Sequence, residues 1–328
     1  MRALAIFTIL LLIGGTPVRS QEQQSDDLDA RLGKTPLSDA TKIAPPDYAF
    51  GAYQRGMYLT AFNHALPRAE AGDAAAQTLI AELYDQGKGV ARDSKKAAEW
   101  YKVAANSGNR EAQFSYAMKL LQGIDVPGDK ETAIELMQEA ADAGHPVAMY
   151  NFANHIIDQR PTTAGYRRAL PYIEKAAEYR LSDAYYSLAK IYKEGLATGI
   201  GDPKKGRDWL VRAARAGIDT AQVELGIALM NGFGGPKDEK AAYQWFLIAA
   251  QGGNVIGQNR LAHLLFRGTG IEIANEEEKK KTLVEAAKWH ILASRAGRAD
   301  LDLDLYFRGL DEENKKAGLS AANRWPNR

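Results

Sequence analysis

The sequence predicts an all-α solenoid of stacked antiparallel helix pairs, and three observations predict it. First, a short string recurs: Ala104-Ala105-Asn106-Ser107-Gly108, Ala140-Ala141-Asp142-Ala143-Gly144, Ala176-Ala177-Glu178-Tyr179-Arg180, Ala213-Ala214-Arg215-Ala216-Gly217 and Ala249-Ala250-Gln251-Gly252-Gly253. Looser copies end at Gly72 and Gly297, and the closing positions 72, 108, 144, 180, 217, 253 and 297 differ by 36, 36, 36, 37, 36 and 44. A period in this range marks a repeat array in which each unit buries its apolar face on its neighbours. Second, each string is followed at fixed offsets by an amphipathic pattern. Third, an aspartate recurs where a second helix should open.

The first twenty residues read as an address. Met1-Arg2 supplies a positive start, Ala3 to Gly15 is an apolar run with one threonine, and Val18 and Ser20 suit a signal-peptidase site. The run is shorter than the roughly 20 apolar residues of a spanning helix, so cleavage near Ser20 is expected; the alternative is a retained anchor. Cleavage would remove Arg2 and Arg19 and take the formal charge from +1 to −1. Residues 21–46 are polar and proline-marked, ending in Pro45-Pro46, and read as a disordered leader.

From residue 47 to Gly72 an irregular helix pair is expected, Tyr48 to Met57 and Tyr58 to Ala71. Leu66-Pro67 recurs later as Leu170-Pro171. Proline is tolerated in a first turn and otherwise kinks a helix, so these two second helices should start late or bend.

Residues 73–297 read as six repeats. In the first helices Ala76, Ala112, Ala148, Ala184, Ala221 and Gly257 are followed four residues on by Ile80, Tyr116, Phe152, Leu188, Leu225 and Leu261. Then comes a small residue: Ala81, Ala117, Ala153, Ala189, Gly226 or Ala262. Offsets 4, 5 and 8 form one helix face, and the small residue marks where a second helix packs closest. Asp93, Asp129, Asp202 and Asp238 are candidate N-caps of the second helices, with Asp202-Pro203 the strongest because proline suits the first helical position. Each terminal glycine should supply a left-handed stop. Arg180 at that position breaks the pattern, as does the loop Gln159–Gly165. The last repeat is 8 residues longer than a 36-residue unit; Glu276-Glu277-Glu278-Lys279-Lys280-Lys281 within it reads as a solvated extension of the second helix, with a docking element as the alternative. Residues 298–328 read as a degenerate repeat: Leu301 to Tyr306 alternates like a strand, but the repeat frame makes it a first helix, and Asp311 opens a polar capping helix.

Composition narrows function. Lys+Arg and Asp+Glu balance at 42 and 41, so no basic excess recruits nucleic acid. The absence of cysteine removes thiol catalysis, cysteine-ligated zinc and disulfides. The histidines His64, His145, His155, His263 and His290 have no metal-ligand spacing; His145, just after a helix stop, is expected to be exposed, and His290 to pack. Gly199-Ile200-Gly201 and Gly234-Gly235-Pro236 lack the strand and the GK[ST] of a phosphate cradle and read as repeat loops. No catalytic residue, metal ligand or cofactor site can be nominated.

The signature Ala76-Gln77…Ile80-Ala81…Tyr84…Gly87-Lys88-Gly89-Val90…Asp93…Lys96-Ala97…Trp100-Tyr101…Ala104-Ala105…Gly108 resembles the Sel-one-like repeat family, a relative of the tetratricopeptide repeat. The resemblance covers about residues 47 to 310; Gly257, Arg180 and the third-repeat loop depart from it. It implies a right-handed α-solenoid and a chiefly non-enzymatic adaptor. Bacterial members include periplasmic proteins that restrain a sensor kinase, partners of cell-wall enzymes and exported host-interaction factors. A cysteine-rich branch is associated with β-lactam binding or hydrolysis, which this cysteine-free chain does not inherit.

In tetratricopeptide-like stacks the first helices line the concave side, at offsets 2, 6 and 9 from the repeat alanine. Those offsets give a column whose candidate partner-binding residues are Phe114, Met118, Tyr150, Asn154, Tyr186, Lys190, Ile227 and His263, with the more polar Thr78, Glu82 and Asp85 in the first repeat. Aromatic and methionine side chains are enriched in binding hot spots; the alternative is packing between neighbouring helices. The expected function is an exported scaffold that binds a protein segment or membrane-protein ectodomain in its groove. An enzyme or ligand binder acting on cell-wall peptidoglycan or β-lactam-like material, or a purely structural envelope role, are the alternatives. The expected location is the bacterial periplasm or the exterior.

Overall fold

Helix pairs follow one another without interruption in the computed structural model, which describes residues 47–325. The signal, the leader and Pro326–Arg328 lie outside the described residues. An opening pair, α1 (Tyr48–Gln54) and α2 (Tyr58–Glu70), precedes α3 (Ala74–Gln86), α4 (Ser94–Asn106), α5 (Arg110–Gln122) and α6 (Lys130–Asp142). Then come α7 (Pro146–Gln159), α8 (Thr163–Glu178), α9 (Ser182–Glu194), α10 (Pro203–Arg215), α11 (Asp219–Asn231) and α12 (Glu239–Gln251). The array closes with α13 (Val255–Arg267), the 20-residue α14 (Glu276–Arg295), α15 (Leu301–Arg308) and α16 (Glu312–Arg324). No strand occurs among the described residues.

Local chemistry sets these boundaries. The carboxylates of Asp93, Asp129, Asp202 and Asp238 accept the N–H of Lys96, Thr132, Lys205 and Ala241 at 3.0, 3.1, 2.9 and 2.8 Å, capping each second helix as expected. At the other end Gly108 has φ 78°, and Arg180 adopts the same left-handed turn at φ 64° despite its side chain. The small pairs before these stops are buried: Ala104 and Ala105 are 0 % and 2 % exposed, Ala249 and Ala250 both 0 %. There a neighbouring helix comes closest, and only a methyl fits.

Two departures from the repeat pattern have a packing cause. A Cβ on Gly257 would stand 2.7 Å from the Ala249 Cβ and 3.0 Å from the Ala250 nitrogen, so α13 could not approach α12 this closely with alanine. A Cβ on Gly226 would meet the Phe246 ring at 2.6 Å. Phe246 is bulkier than Met137, Ile173 or Leu210 at the equivalent site of other repeats, and its ring comes so close to α11 that no methyl fits at position 226, whereas Tyr101 in the first repeat packs with Ala81.

One expectation is narrowed and one corrected. Pro67 and Pro171 lie inside α2 and α8, which do not start late, leaving a bend as the form that expectation keeps. Proline takes one N–H from each helix, and Ala65, Ala69, Ala169 and Ile173 beside them remain buried, so tertiary packing carries the helix through. His145 is buried, at 6 % exposed, because Phe114 of the preceding repeat stacks on its imidazole with 4.4 Å between ring centroids.

Candidate partner-binding face

The first helices line up along one face, tied side by side by polar contacts one repeat apart. The Lys119 ammonium donates to Asp85 at 2.7 Å, joining α5 to α3. The Tyr150 and Ser187 hydroxyls share a hydrogen bond of 3.0 Å from α7 to α9, and the Tyr186 hydroxyl donates to Glu224 at 2.6 Å from α9 to α11. Burial, reinforced by Glu224, pushes the Tyr186 phenol well above its ordinary pKa, so it remains a donor. At the C-terminal end His263 Nε2 lies 2.9 Å from Asp300, which also accepts from Asn259 at 2.9 Å.

All eight candidate residues therefore lie on α5, α7, α9, α11 and α13, but they do different work. Tyr150, Tyr186 and His263 commit their polar ends to the next repeat, and Phe114 covers His145. These four are structural staples whatever else they touch. Met118 and Asn154 are half-buried, and Lys190 is exposed. Ile227 stands between two cavities.

The first cavity, of about 350 Å³, lies between α9, α10 and α11. Its apolar lining is Ala189, Leu210, Ile227, Ala228 and Phe233, of which Phe233 is 47 % exposed. Lys193, Arg207 and Glu224 are its charged residues. The second, of about 480 Å³, lies on the other flank of α11, where Ile227, Met230, Phe246 and Leu264 meet Arg260, Arg267 and His263. Asp300 and Asp302 complete that second cavity. Among the described residues no group of three His, Asp or Glu side chains could hold a metal ion, and no helix is long and apolar enough to cross a membrane.

A row of glutamines does work that the spacing did not single out. Gln77, Gln222 and Gln258 follow the repeat alanine (or Gly257) and are buried. Their amides donate to the carbonyls of Ala69, Ala214 and Ala250 at 3.0, 3.3 and 3.5 Å, satisfying the end of the preceding second helix. Their recurrence one place after the repeat alanine was the available signal.

The Sel1 repeat family model matches residues 74–109, 110–145, 182–218, 220–254 and 255–297, together more than half of the chain. The unmatched interval between them holds α7 and α8, the atypical loop after Gln159, and Arg180. A Sel1 repeat protein from Oxalobacter formigenes is similar in structure, with a TM-score of 0.59 at 26% identity over 74% of this chain and 97% of that one. So is c5321, a protective antigen present in uropathogenic Escherichia coli strains displaying an SLR fold, with a TM-score of 0.52 at 23% identity over 85% and 67% of the two chains. No curated protein matches the chain in sequence.

Proposed function

The chain belongs to the Sel1 repeat family, whose members generally act as protein–protein interaction scaffolds and whose fold is typically non-catalytic; from that premise we propose that it is an exported adaptor holding a segment of another protein along its first-helix face. The observation that carries this reading is the half-exposed apolar surface at α11, where Ile227 separates two open cavities beside the stapled Tyr186 and His263. A surface of this kind loses water when an apolar side chain enters it, a favourable term that scales with the apolar area covered. Export rests on the apolar run Ala3 to Gly15 with small residues at Val18 and Ser20. The periplasmic side of a bacterial envelope or the exterior is the corresponding location. A membrane-protein ectodomain, an envelope sensor or a cell-wall enzyme is the class of partner an adaptor there would hold or regulate.

Cross-linking in the native envelope, followed by mass spectrometry, tests the reading. The expected result is a protein cross-linked to α9, α11 or α13, lost in Ile227→Asp, with an N-terminus at Gln21 in the purified chain. Cross-links confined to the second-helix face, or recovery unchanged in Ile227→Asp, would sink it. Product release from peptidoglycan by the purified protein would favour the enzymatic alternative instead.

A further inference from the structure

We propose that the two cavities flanking Ile227 receive one extended acidic–apolar peptide segment, its apolar side chains in the cavities and its carboxylates on Arg260 and Arg267. The inference rests on the adaptor reading and adds the chemistry of the occupant.

The cavities are neighbours, since Ile227 and Asn231 line both, and they lie on opposite flanks of one helix. Packed helices stand about 8–10 Å apart. An extended chain advances about 3.3 Å per residue, so side chains two or three residues apart reach both sides of the Ile227 ridge. The buried Leu210 and Ala228 in the first cavity, and Phe246 and Leu264 in the second, make each a receptor for an apolar side chain.

The sign of the charge follows from which ionic groups are already engaged. Glu224 accepts from Tyr186 at 2.6 Å and from Lys193 at 3.4 Å. Asp300 accepts from Asn259 and His263, both at 2.9 Å, and from the Leu303 N–H at 3.1 Å. Arg207 donates to the Pro236 carbonyl at 3.0 Å and, among the described residues, has no carboxylate within 4.0 Å. Arg260 and Arg267 are exposed and, among the described residues, have no carboxylate within 4.0 Å. Asp300 keeps its negative charge, since Asn259 and the Leu303 N–H are neutral donors, and Asp302 has no partner among the described residues. The two cavities thus set Lys193, Arg207, Arg260 and Arg267 against Glu224, Asp300 and Asp302, an excess of one positive charge, with both guanidiniums of α13 free to donate. Seven residues apart on α13, the two guanidiniums share a face about 10 Å apart along the axis. Guanidinium forks bind carboxylates in pairs of hydrogen bonds, so the free positive charge beside apolar cavities selects acidic side chains interleaved with apolar ones.

Fluorescently labelled synthetic peptides with Leu and Phe interleaved by Asp, by Asn or by Lys, titrated against the full chain, test this. The Asp peptide should bind at least about tenfold tighter than the Asn peptide, as expected for charge-assisted hydrogen bonds, and more weakly as salt rises. Arg260→Glu/Arg267→Glu should reverse the preference towards the Lys peptide. Both residues are exposed, and an unchanged thermal melt confirms that the variant folds. Equal affinity for the Asp and Asn peptides, or an Asp preference that survives the double variant, overturns the proposal. If the peptides bind regardless of charge and Ile227→Asp abolishes that binding, the groove reading stands and the acidic occupant fails. No measurable binding of any peptide also overturns it, while the envelope cross-linking separately judges the adaptor reading.

Discussion

The imidazole of His145 caps the helix that begins at Pro146: its Nδ1 accepts the Ala148 N–H at 3.0 Å. Nε2 lies 2.9 Å from Glu111 of the preceding repeat, so the ring is the Nε2–H tautomer, donating one way and accepting the other. A protonated ring would present an N–H to the Ala148 N–H and lose the cap. Burial pushes its pKa below the ordinary value of 6.5, against the opposing pull of Glu111. His145→Ala should cost about 1 kcal/mol of stability, and His145→Asn, which can still cap, a fraction of that. Because the folded-state pKa is depressed, the unfolded chain binds more protons below pH 6.5, and stability falls as pH drops through that region. Urea unfolding over a pH series should show part of this slope missing in His145→Asn; identical slopes would refute the tautomer assignment.

Arg180 holds a left-handed conformation, φ 64°, where every other repeat stop has glycine. A side chain there costs about 1–2 kcal/mol, and the exposed guanidinium has no hydrogen-bond partner among the described residues to offset it. Arg180→Gly should raise the melting temperature. A fall would mean that the arginine is held by interactions worth more than the backbone strain.

Gly226 and Phe246 form a size-matched pair between α11 and α12. Gly226→Ala should destabilise by about 1–3 kcal/mol, because the new methyl overlaps the ring and the core is already filled. The second-site change Phe246→Leu, damaging alone, should restore part of the loss when combined with Gly226→Ala. Strict additivity in a double-mutant cycle would rule out direct contact as the cause.

Much of this framework was legible in the sequence because its causes are local. An aspartate before a helix, a glycine after one and a 36-residue period each report on a few neighbouring residues, and the structure puts caps, stops and pairs at those positions. What the sequence left open has a different origin. His145 is buried by Phe114, which lies 31 positions earlier, and Tyr150 is tied to Ser187, 37 positions later. Which side chains meet across that distance depends on the register between stacked repeats, and periodicity within one helix does not encode it. The first-helix column was thus found as a row of positions, while its division into staples such as Tyr186 and the cavity ridge at Ile227 emerged only from packing. Gln77 belongs to the repeat signature, but the role of the junction glutamines is hidden for the same reason, because a buried amide is informative only once its carbonyl partner is known.

The last helix pair is fastened to the array by groups that titrate, which makes acid its weak point. Asp300 caps α15 through the Leu303 N–H and accepts from Asn259 and His263, while Asp304 one turn on lies 3.1 Å from His290. Burial raises the pKa of the Asp300 carboxyl, but the bonds from Asn259, His263 and Leu303 outweigh it and hold the group well below the usual carboxylate range. Burial pushes the His290 imidazole down, and the nearby Asp304 and Asp300 do not fully restore it. Both folded-state pKa values are therefore depressed, and both contributions act in the same direction. The His290 contribution is complete above about pH 6.5 and declines as the pH falls below it, and that of Asp300 is complete above about pH 4 and declines under it. Hydrogen exchange followed from pH 7 to 3 should show α15 and α16 losing protection before α9 to α12. Asp300→Ala should weaken the terminal pair by about 1–3 kcal/mol at neutral pH, since it removes a cap and leaves the buried Asn259 amide unpaired. In Asp300→Asn the low-pH step should disappear while the His290 contribution, lost as the pH falls below about 6.5, remains. Uniform loss of protection along the whole chain would show instead that acid acts on the array as a single cooperative unit.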